Sequence, residues 1–311
     1  MGSAIVFPGQ GSQTVGMLSA FTQNHAIIKS VFGEASERLD FDLWLLIQNG
    51  PKDELDKTEN TQPAMLACGV ALWKLWRQAG GIVPDVLAGH SLGEYTALVA
   101  AGALKFGDAV TLVRDRGRYM QQAVPAGEGA MAAILGLTDE QVMEICALNS
   151  VDAIVSVANF NSPGQAVIAG HTGAVAKVMD DAKTAGAKRV IMLDVSVPSH
   201  CRLMQSMTEK YSQRLAELKF SDADIPVVQN ADTVQRTDSQ AIKNALLQQL
   251  HQPVRWTDTI LKIKALGITN IIECGPGKVL TGLIKRIDRE LTAYPVFDFV
   301  TLATALTAVT E

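Results

Sequence analysis

Seven residues, Ala88-Gly89-His90-Ser91-Leu92-Gly93-Glu94, constrain the fold of this chain more than any other stretch. Gly89-His90-Ser91-Leu92-Gly93 fits G-x-S-x-G, the spacing of a sharp strand-to-helix corner with a serine at its tip. Both flanks need glycine because a Cβ there would meet the adjoining strand or helix. Residues 84–88 ahead of the corner read as a short buried strand. Residues 94–103 behind it read as a helix, with Glu94 suited to the positive end of its dipole. Such a corner belongs to a parallel α/β layer. A turn of small residues would fit the five-residue pattern equally well, but the strand before and the helix after favour a nucleophile.

Hydrophobic patterning extends that layer along the chain. A first strand at 4–7 runs into the turn Pro8-Gly9-Gln10-Gly11-Ser12-Gln13, and helices follow at 24–38, 42–48, 61–79 and 107–123. The character changes near Pro125. A strand at 129–136, a helix at 139–147 capped by Thr138, strands at 154–159 and 165–169, a helix at 172–185 and a strand at 189–195 give the order β-α-β-β-α-β. Beyond it lie helices at 201–218, 239–250, 256–266 and 278–289, with strands at 226–230 and 270–273. The tail from about residue 295 carries no pattern. The expected architecture is an α/β-hydrolase-like large domain with a parallel sheet, built from residues 1–124 and 199–311. A ferredoxin-like small domain, 125–198, is inserted into it. A cleft between the two is the natural substrate site. With 311 residues, 48% of them hydrophobic, the chain can bury a core of that size.

Composition excludes several partners. The net charge is −5 with 19% charged residues, so no basic excess points to nucleic acid or an anionic membrane. No apolar run reaches transmembrane length, and Met1-Gly2-Ser3-Ala4-Ile5-Val6-Phe7 lacks the features of a signal peptide. Cys68, Cys146, Cys201 and Cys274 are far apart without a C-x-x-C pair, and read as thiols of a reducing cytoplasm rather than a metal site or disulfide frame. A cytoplasmic protein is expected.

A serine hydroxyl is barely ionised at neutral pH, so a nucleophilic Ser91 needs a base. Among the five histidines, His25 falls on a polar helix face, His171 at a surface turn of the insert, and His251 near a helix end of the large domain. His90 precedes Ser91 with its side chain turned away. His200 has the best setting, because Val195-Ser196-Val197-Pro198-Ser199-His200 leaves the insert and enters a helix beside the cleft. A helix N-terminus disfavours imidazolium and keeps the ring a neutral base; a helix-capping surface histidine is the competing reading. Cys201 beside it reads as a buried structural thiol. The acids Asp152, Asp180, Asp181 and Asp194 all belong to the insert. A serine–histidine dyad, with a main-chain carbonyl holding the second ring nitrogen, is more economical than a triad.

Two further features bear on chemistry. On the helix 107–123, Leu112, Val113, Arg116 and Met120 share one face. A guanidinium on an apolar stripe must meet an anion, because it does not deprotonate. Either an Asp or Glu pairs with it, or it clamps a substrate carboxylate. Gly9-Gln10-Gly11 lacks the lysine of a phosphate loop. It is a tight turn, or it supplies the Gln10 N–H as an oxyanion donor beside that of Leu92.

Phe7-Pro8-Gly9-Gln10-Gly11-Ser12-Gln13, Gly89-His90-Ser91-Leu92-Gly93-Glu94, Met120-Gln121, Asn159-Phe160-Asn161-Ser162-Pro163-Gly164-Gln165, Val197-Pro198-Ser199-His200 and Glu273-Cys274-Gly275-Pro276-Gly277-Lys278 together carry a resemblance. They resemble, in order from residue 5 to about 290, the bacterial malonyl-CoA:acyl carrier protein transacylases of type II fatty acid synthesis. The resemblance implies that Ser91 carries a malonyl ester and that His200 is the base and then the acid. It makes Arg116 the partner of malonate's free carboxylate, and Gln10 and Leu92 the main-chain oxyanion donors. Gln249 becomes the residue whose backbone carbonyl orients the histidine. Transfer would run from malonyl-CoA to the phosphopantetheine thiol of acyl carrier protein, with no metal or other cofactor. That partner is acidic, so Lys285, Arg286 and Arg289 on the last patterned helix, with Lys188 and Arg189 on the insert, are candidate docking residues; each singly also fits ordinary solvated surface. A free-standing monomer is expected. A serine esterase or thioesterase would share the corner, but Arg116 and the missing acid count against it. A non-catalytic acyl-binding protein would function without Ser91.

Overall fold

The computed structural model describes residues 2–21, 26–195 and 197–310. Its strands are β1 (Ser3–Phe7), β2 (Val86–Gly89), β3 (Gly129–Leu135), β4 (Val155–Ser162), β5 (Gln165–His171), β6 (Arg189–Met192), β7 (Val227–Val228), β8 (Gln235–Arg236), β9 (Asn270–Cys274) and β10 (Thr292–Val296). They form two sheets in an α/β fold. The larger has the order β10-β9-β1-β2-β7-β8, parallel except for the antiparallel pair β7–β8. The smaller, β4-β5-β3-β6, is antiparallel throughout.

Every residue of β1 and β2 is buried, as expected of central parallel strands covered by helices on both faces. The two-residue strand period divides them cleanly. Ile5, Phe7 and Leu87 enter one core with the helices Thr58–Gln78 and Phe106–Ala123. Ala4, Val6, Val86 and Ala88 enter the other with Trp256–Ala265 and Val279–Ile287. In the smaller sheet, Ala130, Ala132 and Ile134 pack under the helices Asp139–Leu148 and Thr172–Thr184. Met131, Ala133 and Val167 point the opposite way, toward the larger sheet's lobe. The lobes are joined by backbone: Phe160 N–H donates to the Val254 carbonyl at 3.0 Å, and Val254 N–H to the Ala158 carbonyl at 2.8 Å.

Several elements depart from the sequence expectation. The helix expected at 24–38 runs Ala26–Leu39; its first two expected residues, Asn24 and His25, lie outside the described residues. Thr138 does cap its helix, in a reciprocal capping box with Gln141. The single helix expected at 201–218 is a 3-10 turn, Arg202–Met207, followed by an α-helix, Thr208–Glu217. It starts late because Cys201 is extended. The unpatterned tail holds the end of β10 and a helix, Phe299–Thr310, and β10 itself is unexpected. Pro295 hides the strand from pattern reading, yet β10 is an edge strand, where a missing N–H is tolerated. The tail helix is made largely of Thr and Ala and carries no charged side chain. Asp298 starts it by accepting from Thr301 N–H at 2.7 Å.

Candidate active site

β1 and β2 are in parallel register, with Phe7 level with Gly89, so the Pro8-Gly9-Gln10 turn and the serine corner open on the same edge of the sheet. Both glycines of the corner lie where backbones touch. A Cβ on Gly89 would run into the main chain of Gly93, and one on Gly93 into the Phe7 carbonyl. Between them Ser91 adopts a left-handed φ of 51°, a sparsely populated conformation for a residue with a side chain. Ser91 is half-buried and faces a cleft of about 410 Å³ between the two sheets. Gln10, Leu92, Arg116 and His200 line the same cleft, with Met131, Ala133 and Val167 from the smaller sheet opposite. A second hollow of about 450 Å³, between the helices Ala26–Leu39 and Leu43–Asn49, is lined by no histidine, arginine or cysteine.

His200 Nε2 lies 2.7 Å from Ser91 Oγ, and His200 Nδ1 lies 2.7 Å from the main-chain oxygen of Gln249. A carbonyl only accepts, so Nδ1 carries the proton, and Nε2 of the neutral ring accepts from the serine hydroxyl. Burial, followed by the positive charge of Arg116, pushes the imidazole from 6.5 down to about 3. This corrects the expected cause of its neutrality. His200 is not in a helix but precedes one, at φ 59°, and is 3% exposed. His251 lies two residues beyond Gln249, off the cleft lining. His90 turns away from Ser91 to bond Asn161 at 2.8 Å. The Cys201 thiol is pushed up to about 11 by burial and donates to the Pro198 carbonyl.

Arg116, 2% exposed, meets no carboxylate among the described residues. Nη1 donates to Gln62 Oε1 and Nη2 to Gln249 Oε1, each at 3.0 Å, and the guanidinium lies 5.4 Å from the centre of the Tyr95 ring. Among the described residues its Nε has no hydrogen-bond partner. Neutral amides position the group without cancelling its charge. A buried charge without an ion-pair partner costs several kcal/mol (~3–5 when a partner is removed), and an anion in the cleft would relieve that cost.

Corner amides are equally selective. Ser91 N–H donates to Asn230 Oδ1 at 2.7 Å and Gly93 N–H to the His90 carbonyl at 2.9 Å. Among the described residues the N–H groups of Leu92 and Gln10 meet no protein acceptor, and both residues line the cleft beside Ser91. Glu94, in the first helical turn as expected, is wholly buried; burial raises its carboxyl to about 7 against the pull of Asn230 N–H, the Gln249 amide and Arg116. Sequence reading missed the roles of Gln62, Asn230 and the Gln249 side chain. A buried amide on a helix or a strand end carries no periodic signal. No group of three or more His, Cys, Asp or Glu side chains among the described residues could hold a metal ion.

Comparison with known proteins is consistent with this geometry. The acyl transferase domain family matches residues 4–300. The malonyl CoA-acyl carrier protein transacylase of Salmonella typhimurium is 52% identical over 304 residues, 98% of each chain. An acyl carrier protein S-malonyltransferase from Vibrio cholerae superposes with a TM-score of 0.95 at 52% identity, covering 98% of this chain and 99% of that one. A malonyl-transacylase solved in complex with its type II polyketide synthase acyl carrier protein gives 0.97 at 48% identity, covering 99% and 100%. The chain belongs to the acyl transferase family and, within it, to the malonyl CoA-acyl carrier protein transacylases.

Proposed function

We propose that this protein moves a malonyl group from malonyl-CoA to the phosphopantetheine thiol of acyl carrier protein through an ester on Ser91, supplying fatty acid elongation. The observation that carries the reading is the pairing of Ser91 Oγ with His200 Nε2 at 2.7 Å, in one cleft with an arginine that forms no salt bridge among the described residues. Ser91 Oγ attacks the thioester carbonyl and gives its proton to His200 Nε2. The Gln10 and Leu92 N–H groups receive the developing oxyanion. The carbon–sulfur bond breaks, and the CoA sulfur leaves with the proton from His200. In the second half-reaction the carrier thiol loses its proton to His200 and attacks the ester, and Ser91 Oγ recovers that proton as it departs. As written, the cycle calls on no metal or redox group.

Arg116 supplies selectivity. A malonyl carboxylate would accept from the guanidinium and neutralise it, whereas an acetyl group would leave it buried and unpaired. Neutralisation also removes part of the charge that holds His200 low, so the base strengthens when the correct acyl group is bound.

The fold reading is an α/β-hydrolase-like large domain (1–124 and 199–311) with a ferredoxin-like insert (125–198), supported by the insert's β-α-β-β-α-β element order and antiparallel sheet. A monomer acting in a reducing cytoplasm is consistent with four buried, unpaired cysteines. The test is intact-mass measurement after brief mixing with malonyl-CoA. A malonyl adduct on Ser91 that acyl carrier protein discharges faster than water is expected. Rapid hydrolysis without an adduct would overturn transfer in favour of an esterase.

A further inference from the structure

Ser91 occupies a left-handed turn, and both of its main-chain groups are held from outside that turn. Its carbonyl accepts from Gln249 Nε2 at 3.0 Å, and its N–H donates to Asn230 Oδ1 at 2.7 Å. Asn230 is wholly buried, two residues past the end of β7. Its Nδ2 donates to the Gly89 carbonyl at 2.6 Å, so one side-chain amide spans the corner from strand end to nucleophile. Asn230 is anchored in turn: its backbone N–H donates to Glu94 Oε2 at 2.8 Å. Glu94 is buried in the first turn of the helix Gly93–Ala100, which Ser91 precedes by two residues. The ring of contacts closes on itself, from Ser91 to Asn230 to Glu94 and back along the chain. Neither Asn230 nor Glu94 lines the cleft.

We propose that Asn230, anchored by Glu94, is a positioning residue that holds Ser91 in its left-handed turn. By taking up the Ser91 N–H, it also leaves the Leu92 N–H as the corner's free oxyanion donor. The proposal rests on the reading of Ser91 as the nucleophile. It assigns Asn230 an effect on the rate of acylation and none on substrate affinity, because the residue acts on the serine's main chain and not on the acyl group.

The test compares wild type, Asn230→Ala, Glu94→Ala and Glu94→Gln for the time course and final stoichiometry of Ser91 malonylation by malonyl-CoA, followed by intact mass. Asn230→Ala is expected to reach full stoichiometry at a rate roughly 10- to 100-fold lower, because small misplacements of a reacting atom are that costly. Its KM for malonyl-CoA should stay within about twofold of wild type, since no ground-state contact is removed. If Asn230→Ala does not fold, the Glu94 pair carries the test. Glu94→Gln retains an acceptor for the Asn230 N–H and should recover most of the rate that Glu94→Ala loses. A variant that malonylates a smaller fraction of protein at the wild-type rate constant would make Asn230 a folding residue only. A raised KM with unchanged maximal rate would place it in contact with substrate. Either result overturns the proposal, whereas a wild-type protein that takes up no malonyl group overturns the functional reading instead.

Discussion

The proton on His200 is fixed by what its far nitrogen faces: the Gln249 carbonyl can only accept, so the lone pair is left to Ser91. With burial and Arg116 pushing the ring to about 3, malonylation should show no break at the ordinary histidine value of 6.5. In Arg116→Ala the second of those causes is gone. Its acid limb should therefore move up, while malonyl transfer falls roughly 100-fold and acetyl transfer rises relative to it. Rapid-quench rates with both acyl-CoA substrates across pH check this; an unchanged malonyl-to-acetyl ratio refutes the clamp. Glu94 tests burial in the opposite direction. Its folded pKa of about 7 lies above the ordinary 4.5, so its contribution to stability is present below 4.5 and lost as pH rises through 7. A shift of about 2.5 units corresponds to about 3 kcal/mol. Glu94→Gln is expected to gain stability over wild type as pH rises through that window, read from denaturant unfolding at several pH values. The His200 contribution is common to both proteins and cancels. A pH-independent difference would refute the buried charge.

The strand–corner–helix is the element in which sequence and structure agree most closely, because its signal is steric. Gly89 and Gly93 are glycines because backbone occupies the space of a Cβ, and such a demand is written in the residue type itself. The left-handed Ser91 between them costs of order 1–3 kcal/mol. The hydrogen bonds from Asn230 and Gln249 return about 1 kcal/mol each, so the strain is offset from outside the corner. Gly93→Ala is expected to destabilise the protein by about 3 kcal/mol and to abolish malonylation, since the added methyl meets the immobile Phe7 carbonyl. Denaturant midpoints and adduct formation check this; a stable, active variant would mean the corner is looser than its geometry. Those external supports were not legible. Asn230 lies two residues past a strand only two residues long, and Gln62 lies on a helix whose apolar pattern gives no reason to single it out. Arg116 was legible as an anomaly, a fixed charge on an apolar stripe, but the sequence left its partner open. The β10 strand and tail helix escaped because Pro295 interrupts the strand pattern and a helix made largely of Thr and Ala shows no charged face.

At the scale of the molecule, the carrier must deliver its thiol to one end of the cleft, and we propose that exposed basic side chains mark that end. Arg286 Nη1 donates to Gln165 Oε1 at 2.7 Å across the two lobes. Gln165 is level with Leu135 on the neighbouring strand, and Leu135 is level with Arg189 on the next. Arg189 thus lies two strands from the Arg286 contact, about 10 Å at ordinary strand spacing. Gln165 lines the cleft, as does Leu283, three residues before Arg286 on the same helix. Lys188, Arg189, Lys285, Arg286 and Arg289 are all exposed. A chain of net charge −5 therefore presents a local cationic rim at one mouth of the cleft, the form of complementarity that steers an acidic partner. Reversing charge at Arg189 and Arg286 together should raise the KM for acyl carrier protein roughly 10-fold and flatten its dependence on ionic strength. The rate of malonylation by malonyl-CoA should stay within about twofold, because neither side chain touches the reacting atoms. Separate measurement of the two half-reactions decides the matter. An equal loss in both would move the rim's role from carrier docking to the shared thiol arm or to the cleft itself.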